Sequence, residues 1–196
     1  MIKVLKEQFV ETKKVTNIML TILIAIGAFV VPTFLAKIIP LGKYQQIIVG
    51  TIVNMSLILT ALYTKGTIKT IIIATLPSIS TILGGVLLGG MTLYSKTMIP
   101  AIWIGNFAFI LLYKTLYVNK KLPYVASAII AIIIKASIIY LGFTIMVNAM
   151  TVPEMVKQTL NTSMGLTQVI TATSGSALAF LTASYTKLRK KKREEV

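Results

Sequence analysis

The sequence predicts an all-α integral membrane protein: a bundle of six transmembrane helices with both termini in the cytoplasm. Three observations predict it. Of 196 residues, 56% are hydrophobic and 13% charged, with a mean hydropathy of +0.85, more apolar surface than one soluble core of this length can bury. The apolar residues fall into six runs of spanning length, separated by short segments of Gly, Asn, Pro and Lys. The basic residues, finally, are divided unequally between alternate segments.

A helix that crosses the hydrocarbon of a bilayer needs roughly 17–25 mainly apolar residues. The first span, 16–39, follows MIKVLKEQFVETKK, which is too polar for a secretory signal, and no small-residue cleavage site follows it. It is therefore expected to be retained. The second, 44–63, opens after LGK, and the third, 68–91, after TKGT. In the third, Pro77 interrupts the hydrogen-bond ladder and Gly84, Gly85, Gly89 and Gly90 loosen the outer half. A kink or break is expected there, with the outer end lining a pocket. The fourth and fifth spans, 98–117 and 124–147, open after TLYSK and VNKKLP, and the sixth covers 163–186. Loops this short make neighbouring helices antiparallel. The longer link AMTVPEMVKQTLN carries Pro153, Glu154 and Lys157 on an amphipathic stretch, which suits a short interfacial helix or a lid. No internal repeat or second domain is visible, so 1–196 reads as one transmembrane domain with basic cytoplasmic ends at 1–14 and 187–196.

Orientation follows from counting Lys and Arg in alternate loops. One side holds fifteen: Lys3, Lys6, Lys13, Lys14, Lys65, Lys69, Lys114, Lys120, Lys121 and the run from Lys187 to Arg193. The other holds four, Lys37, Lys43, Lys96 and Lys157. Both termini are thus expected inside, in a multi-pass protein of the cytoplasmic membrane. The formal net charge of +15 would suit nucleic acid by number alone, but its placement at helix ends fits anionic lipid headgroups instead. No nucleic-acid partner is expected.

Several chemistries are excluded by missing residues. The chain has no Cys and no His, hence no disulfide, thiolate, imidazole base or common zinc ligand. No G-x-x-x-x-G-K-[ST] loop is present, so the chain cannot use ATP in the usual way. No span contains Asp or Glu, which removes the usual proton relay. Neither an enzyme nor a metal or cofactor site is expected; a membrane-embedded binder is.

The binding candidates are the polar groups left within the spans. Lys135 sits near the middle of AIIAIIIKASIIYLGF, too deep for its side chain to reach an interface comfortably. With no intramembrane carboxylate in the chain, its expected partners are backbone carbonyls, water, another subunit or an anionic ligand. Trp103, Asn106, Ile110 and Tyr113 follow one another at spacings of three, four and three, on one face of the fourth helix. Asn106 could bond a polar solute beside a stacking surface at Trp103; the same two residues also suit an interhelical amide and an aromatic belt. The sixth helix carries Gln168, Thr171, Gly175 and Thr182 along one face, a packing pattern first of all. Gln168 and Thr171 join the candidate site. Asn54 and Asn17 read as packing or capping groups.

In size, in six helices with both ends inside, and in the order of LPSISTILGG, IPAIWIGN, a lysine-bearing fifth span and MGLTQVITATSGSALAF, the chain resembles the S-components of bacterial energy-coupling factor vitamin transporters. The resemblance covers most of the chain. It implies a substrate-binding subunit that captures a small micronutrient from outside and delivers it across the membrane, docked on a transmembrane coupling subunit driven by two ATPase subunits. It also implies an outward pocket built largely by the last three helices with outer loops, here Trp103, Asn106, Lys135 and Gln168; of these, Lys135 favours an anionic solute and Trp103 a planar one. The first three helices are left for packing and docking. The alanine-x-x-x-alanine docking pattern of that family is imperfect here, with Thr21, Ala25 and Ala28 in its place. Two other readings stay open on the residues alone: a self-contained facilitator or channel, and a non-transport membrane assembly factor.

Overall fold

With no water in the hydrocarbon to bond free N–H and C=O groups, each apolar run must satisfy its own backbone, and does so as a helix. The computed structural model describes residues 14–38, 43–83 and 92–194, and no strand occurs among them. The helices are α1 (Lys14–Ile38), α2 (Lys43–Tyr63), α3 (Thr67–Leu83), α4 (Thr92–Thr97), α5 (Ile99–Tyr113), α6 (Tyr124–Ala149), α7 (Glu154–Met164) and α8 (Leu166–Glu194). Five membrane-crossing stretches are long and apolar enough by composition: in α1, in α2, in α5 with its continuation to Asn119, in α6, and in α7–α8 together. The described part of α3 is 17 residues. The rest of its predicted span, 84–91 with all four glycines, lies outside the described residues, as do 1–13 and 195–196.

Local chemistry sets the ends. Gly66, at a φ of +108° that L side chains rarely adopt, turns the chain between α2 and α3. Pro123 and Pro153 precede α6 and α7 with φ fixed near the helical value, and Pro100 lies in the first turn of α5. After Tyr113 the backbone widens into a π-helical segment, Lys114–Asn119, where the Lys120 N–H bonds the Thr115 carbonyl at 2.9 Å. The link predicted as an interfacial helix or lid forms α7. It ends at Gly165, so residues 163–164, predicted to open the last span, belong to α7 instead.

The principal pairings are α2 with α8, α5 with α6, and α1 with α2 and α3. Small residues bring the backbones together. At Gly142 a Cβ would lie 2.3 Å from that of Ala101, so α5 and α6 meet with nothing between them. At Gly175 a Cβ would lie 2.7 Å from the Asn54 Cβ and 2.8 Å from the Thr51 carbonyl oxygen. Because the second of these is backbone and cannot swing aside, Gly175→Ala is expected to cost about 1–3 kcal/mol by overpacking, read as a fall in unfolding midpoint in mixed micelles.

Side-chain bonds cross-link one end of the bundle. Asn17 donates to the Tyr63 carbonyl at 2.6 Å, Lys114 donates to the Thr64 carbonyl, and the Tyr124 hydroxyl donates to the Ser176 carbonyl at 2.7 Å. The start of α1, the end of α2 and the end of α5 therefore share that end, as alternating antiparallel helices require. Lys114, counted above among loop lysines, is in fact fully buried. Opposite surfaces of the same helices are apolar: Ile133, Leu141 and Ile145 of α6 are 58–60% exposed. Such a belt is stable only against lipid, which makes this an all-α multi-pass membrane bundle.

Candidate functional site

Lys135 organises the site. It is 2% exposed, at a depth where an ammonium without compensation costs several kcal/mol. Its Nζ donates to Oδ1 of Asn54 and lies 4.9 Å from the centroid of the Phe109 ring, whose negative face attracts a cation. Both partners are neutral, and both are buried.

The orientation of Asn54 follows from the hydrogen-bonding inventory. An ammonium only donates, so Oδ1 must face it and Nδ2 must face away. Nδ2 then donates to the Gly50 carbonyl at 2.8 Å and to Thr171 Oγ1 at 3.1 Å. The Thr171 hydroxyl, having accepted, spends its hydrogen on the Gln168 carbonyl at 3.2 Å. The chain of bonds continues outward, since Gln168 Nε2 donates to the Ser163 carbonyl and Ser163 Oγ to Gln46 Oε1, each at 3.1 Å. Helices α6, α2, α8 and α7 are thus joined by one polar line.

Beside this line is a cavity of about 140 Å³. Its polar walls are Gln46, Asn54, Ser78, Thr81, Asn106, Lys135, Thr167, Gln168 and Thr171, and Gly50, Val53, Pro77 and Ile102 complete it. No carboxylate lines it. Asn106 Nδ2 donates to the Ala74 carbonyl at 3.0 Å, next to the place where the ring of Pro77 interrupts the α3 ladder. A second, larger groove of about 360 Å³ between α6 and α7 is lined mostly by exposed side chains, Glu154 and Lys157 among them. The first cavity is the candidate site, because there a desolvated lysine forms part of the wall.

Four of the five predicted ligand residues, Asn106, Lys135, Gln168 and Thr171, come together on this cavity. Trp103 does not. It is half-buried outside the lining, with its indole Nε1 enclosed and no hydrogen-bond partner for it among the described residues. On its helix Ile102 takes the wall position, one residue round, because the face that carries Asn106 is turned toward α3. Among the described residues the hydrogen-bond partner of Lys135 is the Asn54 amide, which the sequence reading assigned to packing. Helices α2 and α3 supply seven of the wall residues, so the division into three packing and three pocket helices does not hold. One signal could have found Asn54, since it and Lys135 are lone polar groups near the middle of their spans, at matching depth.

The predicted docking residues are half-buried or buried on α1. Ala28 is fully buried in the core, Ala25 packs partly against it, and the Thr21 hydroxyl bonds the Asn17 carbonyl of its own helix at 2.7 Å. Small residues let α1 approach α2 and α3, and the exposed flank is made of Ile22, Leu23, Ile26 and Phe29.

No protein-family model, curated protein or solved structure matches this chain.

Proposed function

We propose that this chain is the substrate-binding subunit of an importer of the energy-coupling factor type, taking a small micronutrient from outside the cell and passing it inward while partner subunits supply the energy. The observation that carries the reading is a buried lysine on the wall of a polar cavity, near the middle of its span, in a chain with no nucleotide loop and no intramembrane carboxylate. Such a site binds a solute and has no visible means of driving it. The order of sequence features shared with S-components supports the same reading, and the distribution of Lys and Arg supports cytoplasmic termini. The partners would be a transmembrane coupling subunit and two ATPases.

Gentle isolation of the tagged chain from its native membrane tests this. Co-isolation of a second membrane subunit with two ATPases is the expected result. A chain that comes away alone, and that conducts solute when it is the sole protein in liposomes, would instead be a self-contained facilitator.

A further inference from the structure

We infer that the cavity takes the carboxylate of a short monoanion with an apolar body. This rests on the reading of the cavity as a substrate site and names the chemistry of what enters it.

The first argument is charge. Lys135 brings one positive charge, and neither its bonded partner Asn54, the Phe109 ring beneath it nor any wall residue brings a negative one. An amide oxygen and a ring face offset only part of the cost of burying an ammonium. A single anionic charge would cancel the remainder. A dianion would leave an uncompensated negative charge in hydrocarbon, at a cost of the same kind. Phosphate near neutral pH carries about −1.5 to −2 and is therefore disfavoured against a carboxylate.

The second argument is hydrogen-bonding capacity. Of the three ammonium hydrogens of Lys135, one is committed to Asn54. Asn106 and Gln168 each commit one amide hydrogen, to the Ala74 and Ser163 carbonyls, and keep one. The Asn54 and Thr171 hydrogens are already spent within the polar line. Two ammonium hydrogens of Lys135 and one amide hydrogen each of Asn106 and Gln168 therefore remain to donate on the walls. An acceptor-only group with several lone pairs, such as a carboxylate, can take them up.

The third is size and shape. About 140 Å³ is close to the roughly 150 Å³ of a cavity known to hold benzene, so a body of about that size fits the space. Val53, Pro77 and Ile102 give its body an apolar wall.

The test uses the purified full-length chain in lipid nanodiscs with acetate, butyrate and benzoate, their primary amides, and inorganic phosphate, binding being read by calorimetry and by shift of the unfolding midpoint. At least one acid should bind about tenfold or more tighter than its own amide, a difference of about 1.4 kcal/mol. That preference should shrink below about threefold in Lys135→Met, and phosphate should not compete. Lys135→Gln, which can still bond Asn54, is the second variant should the first fail to fold. Amides that bind as well as their acids, an acid preference that survives both variants, tighter binding of phosphate, or no binding by any acid would each overturn the inference. The importer reading stands or falls separately on the co-isolated subunits: an acid preference in a chain with no partners would remove that reading and keep this one.

Discussion

Asn54→Ala is expected to destabilise the protein by about 3–5 kcal/mol, because it leaves a buried ammonium without its acceptor. Asn54 is 2% exposed, its Oδ1 is the sole hydrogen-bond acceptor of Lys135 among the described residues, and its Nδ2 ties Thr171 of α8 to α2. Truncation removes both ties at once and leaves nothing polar of similar reach; the Phe109 ring, 4.9 Å away, cannot replace an oxygen, since a cation–π contact contributes only about 0.5–2 kcal/mol. Reversible unfolding in mixed micelles, at one lipid-to-detergent ratio for both proteins, measures the loss. A change below about 1 kcal/mol, the scale of one ordinary hydrogen bond, would mean that Lys135 is satisfied by something else.

Lys135→Met should act in the opposite direction. Lys135 has no counter-ion among the described residues, so an apolar residue of similar length removes a desolvation cost of several kcal/mol against about 1–3 kcal/mol for leaving Asn54 Oδ1 without its donor, and methionine's flexible thioether can fill the lysine's path between Phe109 and the cavity. The empty protein is expected to unfold at a higher midpoint while losing its acid preference. That combination, stability gained and binding lost, is what a functional charge produces and a structural one does not. The two substitutions must also couple. Once Lys135 is gone, Asn54→Ala has no charge to strand, and its cost should fall to that of the Thr171 and Gly50 bonds, about 1–2 kcal/mol. A double-mutant cycle reads the difference directly, and additive effects would break the link between the two residues.

How far the site was legible can be judged residue by residue. Lys135 announces itself, because an ionisable group in the middle of an apolar run has no innocent explanation in hydrocarbon. Gln168, Thr171 and Asn106 lie at helical spacings that place them on inward faces. Asn54 gives the same signal more weakly; a single amide is a common packing group, and only its depth, shared with Lys135, marks it. Trp103 misleads because a periodicity of three and four groups it with Asn106, whereas the actual rotation of α5 against α3 puts Ile102 on the cavity. Thr21, Ala25 and Ala28 mislead for a related reason. A stripe of small residues permits close approach, but it does not say whether the neighbour is inside the chain or a second subunit; here Ala28 is in the core and Ala25 packs partly against it.

By itself the sequence determined the solvent of this protein and the approximate limits of most of its apolar helices; the connection TLYSK, expected as a loop, is the helix α4. Those follow from composition and from the period of the chain, which act on each segment independently of the others. Which helix faces which, and therefore which amide meets the lysine, was decided only by tertiary structure. The rotation of a helix about its axis is set by side-chain fit between elements distant in sequence, Asn54 and Lys135 being 81 residues apart, and no local pattern encodes that fit.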